Sequence, residues 1–390
     1  WSIQIVMYPY MTGLVAGAFV LSSLYHVFGQ KDLKEIAQFS LVFSLALLPV
    51  AAVPLLLHLQ QPLRAMEPLL TPHFTSAIAA FGIVFSTYAL IVVSEIWFVY
   101  RGYFVAQVHA LRDQPGISNA TRRLVYRALT MGAYDVSEEA LATDHKAAKI
   151  LAAIGIPVAC FLHGYAGFIF GSVKANALWM SPLMPVIFIM SAVVSGIALC
   201  MLTYIVIMEW QAFRNRRRGG VLQASEIRGA EAEVISKSAR YLLGFLVAAI
   251  SLEILDLIFR GYTAMKSWDI LRSVMYGKDF VNIFVLQYTL GNLVPFILLL
   301  LPGRTIKRTV LALVLVLFGV FMMRWNVVIG GQAFSLSFSG YMHYHIPIIP
   351  HSVETFKEGL FGALSVIALP FIFFYGINKF VPSLRRDVGS

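Results

Sequence analysis

The sequence of 390 residues is 59% hydrophobic and only 13% charged, which excludes an ordinary soluble domain, whose apolar share is about 45–50%. Its net charge of +10 does not indicate nucleic-acid binding, because the loop charges that orient a membrane protein account for it. Cys160 and Cys200 are too few for a disulfide framework or for the thiolate ligands of an iron–sulfur cluster, so any electron carrier belongs to another subunit or is an organic molecule.

Apolar runs recur along the whole chain, and many approach the ~20 residues that cross about 30 Å of hydrocarbon. Backbone in lipid must be helical to satisfy its own hydrogen bonds, so the predicted fold is an all-α polytopic membrane protein. We expect nine transmembrane helices, at residues 3–28, 39–59, 75–99, 147–170, 183–207, 239–259, 281–301, 309–325 and 359–380. They are expected to form two packed helical bundles, a four-helix bundle at 1–180 that contains the functional site and a second bundle at 181–390.

The predicted loops alternate between two faces of unequal charge. One face, together with the C-terminal tail, carries 22 of the 30 Lys and Arg residues, including the run RNRRRGG at 214–220. The positive-inside rule places this face and the C-terminus in the cytoplasm, in a cytoplasmic (inner) membrane. Nine spans then place Trp1 outside, and an upstream tenth helix in the full protein would restore an even count.

The outer connection at 326–357 begins NVVIGGQAFSLSFSGYMHYHIPIIPHS. Apolar residues alternate at Phe334, Leu336 and Phe338 between glycines, which predicts an ordered, hairpin-like periplasmic flap. Such a flap would offer a docking surface to an extracytoplasmic partner.

Ionisable and phenolic side chains converge at one depth in the outer half of the predicted spans. An ionisable group near the membrane centre costs about 2.5 kcal/mol or more, so each requires a reason to be there. The candidates are Tyr8 and Tyr10 in the first span, His58 at the end of the second, His163 in the fourth, Glu253 and Asp256 in the sixth, and Arg324 in the eighth. We predict one site, in which His163, His58 and Asp256 are catalytic and the others bind the ligand.

Each candidate also has a purely structural interpretation. The alternatives are snorkelling to the interface for His58 and Arg324, a bond to a backbone carbonyl for His163, an i+4 pair with Arg260 for Asp256, and an interfacial aromatic belt for Tyr8 and Tyr10. Gly13 and Gly17 form a small-residue face that admits either another helix or a flat ring, so we include both glycines among the cofactor-binding residues.

Several short motifs resemble the NrfD/PsrC family, the membrane quinone subunits of polysulfide reductase and related complexes. The segments HLQQP (58–62) and HFTSAIAAFG (73–82) are similar to its Asp-Leu-Gly-Arg-Pro and NFTSP…G motifs, which adds His73 to the cofactor-binding residues. CFLHGYAGFIFG (160–171) and LDLIFRG (255–261) resemble the HybB branch, and MRWNVVIGGQ (323–332) is most similar to DsrP of the DsrMKJOP complex, with QrcD next. The family's usual Asp is replaced here by His58.

The resemblance implies a menaquinone-binding subunit that carries no haem or iron–sulfur cluster of its own. It implies a ferredoxin-like iron–sulfur subunit on the periplasmic face, further membrane and cytochrome subunits, and a role in sulfur metabolism and anaerobic respiration. The expected function is exchange of electrons and protons between menaquinol and that partner, as one subunit of an oxidoreductase and not as an enzyme alone. An imidazole or a carboxylate would take up the protons released by quinol oxidation.

Two other functions fit parts of the pattern. His58 and His163 lie at similar predicted depth and could clamp one haem iron, as in a cytochrome b membrane anchor, but no second transmembrane histidine pair is evident. A secondary transporter is the other alternative, and it predicts inverted repeats and broken helices. The two halves of the sequence show no convincing match.

Overall fold

The computed structural model describes residues 1–73, 75–112, 114, 116–176, 178–217, 224–263, 268–303, 305–334 and 340–384. Every regular element within these ranges is a helix. The α-helices are α1 (Ile3–His26), α2 (Lys34–Ala51), α3 (Val53–His58), α4 (Glu67–Leu70), α5 (Ala77–Ala110), α6 (Ile117–Leu129), α7 (Glu138–Gly171), α8 (Met184–Arg217), α9 (Ala224–Tyr262), α10 (Trp268–Tyr276), α11 (Val294–Leu300), α12 (Ile306–Trp325), α13 (Val353–Glu358) and α14 (Leu360–Ile377). Two segments, Val281–Leu293 and Asn326–Gly330, are π-helical.

Nine helical stretches within the described ranges are long and apolar enough to cross a membrane, which confirms the predicted polytopic helical membrane protein. They are Ile3–His26, Lys31–His58, Ala77–Ala110, Glu138–Gly171, Met184–Arg214, Ala232–Tyr262, Val281–Leu300, Ile306–Gly330 and Leu360–Ile377. The second stretch has a break in its helical assignment at Ala52, between α2 and α3, and Pro54 lies in the first turn of α3. His58 therefore lies on a short helix of its own.

Helix α1 is the centre of the fold, and it packs against α2, α7, α8 and α12. Its contact with α8 is backbone to backbone: a Cβ added at Gly17 would lie 2.2 Å from the carbonyl oxygen of Ala192, and one added at Gly196 would lie 2.4 Å from the Cα of Gly17. The predicted small-residue face at Gly17 is thus filled by a neighbouring helix. Packing of this kind, through small residues, is what brings helices together in lipid.

The C-terminal helix α14 returns to the N-terminal part of the chain and packs against α2. Helix α1 likewise contacts helices on both sides of residue 180, and one buried apolar cluster contains residues from α1, α2, α5, α8 and α12. The predicted division into bundles at 1–180 and 181–390 stays a prediction. The side chains discussed below come from both ranges.

The predicted flap at 326–357 starts later than the sequence suggested, because Asn326–Gly330 continue the helix that begins at Ile306. The reason is that Asn326 is buried and its Nδ2 donates to Gln287 Oε1 at 2.8 Å. Residues 335–339, on which the predicted Leu336 and Phe338 alternation falls, lie outside the described residues. From residue 340 the chain is irregular up to Ser352, whose side chain caps α13.

Replacement of Gly17 by Ala tests the α1 and α8 contact. The added methyl group overlaps the α8 backbone, and such overpacking should lower the free energy of unfolding by about 2 kcal/mol. The measurement is thermal unfolding of the purified protein in detergent. Gly244→Ala is the matched control, since no atom lies within 4 Å of a Cβ at that α9 position. Equal unfolding temperatures for the two variants would contradict the backbone contact.

Candidate functional site: a cleft with a buried arginine beside it

An apolar cleft lies among α8, α9, α10, α12 and the π-helical segment Val281–Leu293, and its empty space, together with the open solvent at its mouth, is about 580 Å³. Most of its wall is aliphatic or methionine side chains, from Leu178, Met184, Ile187, Leu257, Leu271, Met275, Ile283, Met323 and Val327. The remaining lining residues are Glu253, Asp256, Arg260, Gln287, Tyr288 and Asn326. An apolar wall with a few polar groups is typical of a site for a small organic ligand.

Glu253 is the deeper of the two carboxylates in this wall, nine residues before the end of α9 at Tyr262, or ~14 Å along the helix. Its Oε2 accepts hydrogen bonds from two amides of the π-helical segment, Gln287 Nε2 at 3.0 Å and Asn292 Nδ2 at 3.2 Å. No bond of the described residues engages Oε1. The carboxyl group is therefore fixed on one oxygen and has the other available to a ligand in the cleft.

Asp256 is held on both oxygens. Its Oδ2 accepts from Arg260 Nε at 2.8 Å, and its Oδ1 accepts from the hydroxyl of Ser181. Arg260 also donates to the carbonyl of Leu178 at 3.0 Å. The i+4 pair considered from the sequence is thus present, and it ties the outer end of α9 to the segment that precedes α8.

Arg324 is completely buried in the bundle and does not snorkel to the interface. Its Nη2 donates to Ser191 Oγ at 2.7 Å, contacts His163 Nε2 at 2.9 Å and lies 3.4 Å from the carbonyl oxygen of Phe188. The guanidinium also lies over the ring of Phe188, 3.7 Å from its centroid. Its Nε is buried without a hydrogen-bond partner among the described residues. Arg324 therefore places a positive charge in the apolar interior, and no carboxylate of the described residues is hydrogen-bonded to it.

His163 orients this arginine. Because a guanidinium has only donors, His163 Nε2 must accept, which assigns the ring proton to Nδ1, 3.5 Å from Thr12 Oγ1. The ring is fully buried and lies against Gly13, where an added Cβ would be 3.1 Å from it. Gly13 therefore leaves room for an imidazole, whereas Gly17 one turn on leaves room for a helix.

The arginine and the cleft adjoin each other through α12. Met323 and Asn326, on either side of Arg324 in sequence, line the cleft, and the charges of Arg324 and Glu253 are close enough to interact. Asn326 bonds Gln287, which in turn bonds Glu253, so these side chains form one network, and Arg324, His163 and Ser191 form a second one beside it. The Oδ1 of Asn326 is buried and unbonded within the described part of the chain.

The structure therefore brings together His163, Arg324, Glu253 and Asp256, with Gly13 against the histidine. It does not bring the other predicted residues to the cleft. His58 bonds Glu358 and Ser2, His73 is exposed and contacts Thr75, Tyr8 packs on Phe81, Tyr10 donates to the carbonyl of Leu317, and Gly17 packs on α8. His58, at the end of α3, lies beside α13 and the start of α1 and not beside the cleft.

Sequence reasoning missed the uncharged members of the network. Gln287, Asn292 and Asn326 are amides inside apolar runs, and buried amides need partners just as charges do. Ser181 and Ser191 gave no signal, because an isolated serine in a membrane helix usually bonds its own backbone. Counting amides as well as charges at one depth would have found the first three.

The architecture and this network can be set beside known proteins. The sequence pattern of the family described as "Polysulphide reductase, NrfD" matches residues 1–336. This chain belongs to the NrfD family. The match ends before α13 and α14, and the resemblance stated from short motifs is confirmed at the level of the family. Assignment to the DsrP branch stays a prediction.

Two relatives show how far the likeness to other NrfD-type proteins extends. A selenate reductase subunit of Mesobacillus selenatarsenatis is 33% identical over 204 residues, which is 52% of this chain. The chain spans about half of that relative, 47% of its length. A putative dimethyl sulfoxide reductase membrane subunit of Halobacterium salinarum is 26% identical over 356 residues, 90% of this chain and 71% of the relative.

Replacement of Arg324 by Lys tests the buried arginine. An ammonium group cannot lie flat on Phe188 and still reach both His163 and Ser191, so this NrfD-family protein should lose about 2 kcal/mol of unfolding free energy. The measurement is thermal unfolding in detergent. Arg272→Lys, at an exposed position of α10, is the control and should unfold as the wild type does. An unchanged unfolding temperature for Arg324→Lys would show that the guanidinium geometry is not needed.

Proposed function

We propose that this chain is the membrane subunit of a reductase complex and that its cleft binds a quinone of the membrane. Family membership and the names of the two relatives, both reductase subunits, support the first part. The second part depends on one observation: the half-engaged carboxyl group of Glu253 lies in the wall of an apolar cleft inside a membrane span.

The cleft fits a quinone head group in its chemistry. A quinone is a flat apolar ring with an oxygen at each end, so it needs apolar contacts along the ring and a polar partner at each oxygen. Methionine and aliphatic side chains offer the first. Among the lining residues, the hydroxyl of Tyr288 can donate to one oxygen, and Glu253 Oε1 can exchange a proton with the other.

A bound quinol would supply two electrons and two protons, and the protein has to receive those protons in the membrane. We assign this role to Glu253, which takes up one proton at a time and has to pass the first on before it accepts the second, because one of its oxygens is free of other bonds and the amides on the other oxygen keep the group in place. Both carboxylate oxygens of Asp256 accept hydrogen bonds, and Asp256 thereby orients Arg260 and Ser181 beside the cleft. Arg324 stabilises negative charge that develops nearby, and His163 holds the guanidinium in position.

The electrons require a partner, and the proposal gives this role to a ferredoxin-like iron–sulfur subunit on the periplasmic face. Asp256, Arg260, Leu271 and Met275 bring the C-terminal part of α9 and α10 into the wall of the cleft, and the predicted topology puts these parts on the outer side, where such a subunit would dock. Menaquinone as the quinone, the additional membrane and cytochrome subunits, sulfur metabolism, the inner membrane and a cytoplasmic C-terminus belong to the same proposal. The excess of Lys and Arg on the opposite face supports this orientation.

A haem clamped by His58 and His163 is disfavoured by the geometry. His58 Nδ1 is 3.0 Å from Glu358 Oε1, and His163 Nε2 is taken by Arg324, so the rings belong to different networks. A transporter would also bind its substrate in a cleft inside the membrane, but it would not need redox partners. The experiment below separates it from the quinone site.

The test is quinol-dependent electron transfer in the assembled complex. Glu253→Gln keeps the size and the amide contacts but removes the proton acceptor, and we expect a fall in turnover of ~100-fold, typical of losing a general base. Asp256→Asn should raise the quinol concentration needed for half-maximal rate more than it lowers turnover. Binding of a fluorescent quinol-analogue inhibitor to the purified subunit reports the cleft independently of the partners.

Glu139→Gln, the same acid-to-amide change at an exposed position of α7, is the matched control and should retain wild-type rates. Wild-type turnover in Glu253→Gln would remove this carboxyl group from the mechanism. Failure of the inhibitor to bind the wild-type protein, with solute uptake by liposomes that contain this chain alone, would favour a transporter.

A further inference from the structure

Glu95, on α5, is an acid buried inside a membrane span without a partner. Its side chain is fully shielded from solvent, and neither of its carboxylate oxygens has a hydrogen bond among the described residues. Arg101, ~9 Å further along α5, is bonded to Asp144 at 2.7 Å instead. Ionisable groups at such depth are costly and are usually functional, so this acid requires an explanation that the quinone cleft does not supply.

The neighbours of Glu95 follow from a close contact one turn away. A Cβ added at Gly155 of α7 would lie 2.3 Å from the ring of Phe19 on α1 and 3.2 Å from Ile91 on α5, so the three helices meet there. As the first and third membrane spans, α1 and α5 run in the same direction, toward the cytoplasmic side of the predicted topology. One turn further in that direction lie Ser22 on α1 and Glu95 on α5.

Two more polar groups on this path are buried without a partner. Ser22 Oγ has no hydrogen bond within the described part of the chain, and the same is true of Nε2 of His26, one turn further along α1. His26 is the last residue of α1, and it is close enough to His145 of α7 for their charges to interact. Glu95, Ser22 and His26 thus form a polar line from the interior to the inner end of α1.

The α7 wall beside the polar line consists of small residues. Ala148, Ala152 and Gly155 are the buried positions of α7 over these turns, so no bulky side chain of α7 separates Glu95 from His26. Buried polar groups that lack protein partners are commonly bonded to internal water, each molecule of which makes about three hydrogen bonds. Water molecules along the polar line would satisfy all of its unbonded atoms.

On the outer side, the polar line ends at apolar contacts. The ring centroids of Phe19 and Tyr88 are 5.5 Å apart, and Phe19 also packs on Gly155. The hydroxyl of Tyr88 is directed to the carbonyl of Val15, at 3.4 Å. The next polar group outward on α1 is Thr12, beside the buried imidazole and ~10 Å beyond Phe19. The polar line is therefore open toward the inner side only.

The charged groups of the neighbouring helices are engaged or exposed. Glu35 of α2 accepts a tyrosine hydroxyl at 3.2 Å, and Asp144 of α7 is held by its arginine. His145 and Lys149 of α7 are exposed. Glu95 is therefore the group on which a proton can reside at this depth.

We propose that Glu95 is a proton-binding site that exchanges with the cytoplasmic side through water molecules bonded to Ser22 and His26. One carboxylate oxygen gains or loses the proton, the imidazole passes it on at the inner end of α1, and bulk water on that side supplies or receives it. No electron takes part, so the site is independent of the proposed quinone function. A sodium ion would need several oxygen ligands at once, and the hydroxyl that this level offers is that of Ser22.

The first test is labelling of the purified full chain in detergent with dicyclohexylcarbodiimide, an apolar reagent that reacts with protonated carboxyl groups. Mass spectrometry of the peptides should find the label on Glu95 and not on Asp144, which is also buried but is paired with Arg101. Sodium chloride should not change the result. An unlabelled Glu95 would overturn the proposal, and protection by sodium but not by potassium would show a sodium site instead.

The second test is the rate at which the Glu95 proton exchanges for deuterium. The infrared band of its carboxyl group is the difference between the wild type and Glu95→Gln. His26→Phe should slow the exchange ~100-fold, typical of losing a proton-transfer group, and Ser22→Ala, which adds no bulk, should slow it as well. His109→Phe, the same change at an exposed position of α5, is the matched control and should exchange as the wild type does.

Two results of the exchange experiment would contradict the polar line as a path. Wild-type exchange in both His26→Phe and Ser22→Ala would show that protons reach Glu95 by another route. Exchange of Glu95 in the wild type that is no faster than exchange of the buried backbone amides would show a dry carboxyl group with a purely structural role.

Discussion

The central constraint on this structure is a permanent positive charge in an apolar interior. Arg324 is completely buried, and arginine cannot lose its proton there as a lysine can, so its donors and its charge must be satisfied locally. The partners come from two other helices: His163 on α7, and Ser191 and Phe188 on α8. These contacts hold α7 and α8 in one rotation about their axes relative to α12.

Close packing of α1 makes this arrangement possible. Gly17 and Gly196 allow the backbones of α1 and α8 to touch, and Gly13, one turn away, leaves the space in which the His163 ring lies. A side chain at either glycine of α1 would move α8 or the imidazole, and with it the partners of the arginine. From the sequence, Gly13 and Gly17 were predicted to bind a ligand. In the structure, Gly17 contacts α8 and Gly13 contacts the imidazole ring of His163, which positions Arg324.

Much of the fold can be predicted from the sequence, because few backbone structures satisfy their own hydrogen bonds in lipid. Apolar runs had to be helices, and their number and order could be predicted from Ile3 to Ile377 without any packing information. The buried polar groups could be predicted in part: His163, Arg324, Glu253 and Asp256 were singled out because charge at depth is rare, and of these only the two carboxylates line the cleft. His58 was grouped with them by depth alone, and depth does not show where a chain turns. In the sequence, the only sign of the break at Ala52 was the pair Pro49 and Pro54. The effect of a proline on helix packing depends on the neighbouring helices.

The π-helical backbone of Val281–Leu293 determines how many groups can hold the Glu253 carboxyl. Gln287 and Asn292 are five residues apart, and in an α-helix that spacing would turn one amide about 140° away from the other. With hydrogen bonds that join residues i and i+5, both amides point toward α9. The π-helical winding therefore determines whether both amides reach the carboxyl group. A return to α-helical pitch would remove one of the two hydrogen bonds and leave Glu253 held by the other alone. The position of this carboxyl group in the cleft is in that way linked to the local pitch of a neighbouring helix.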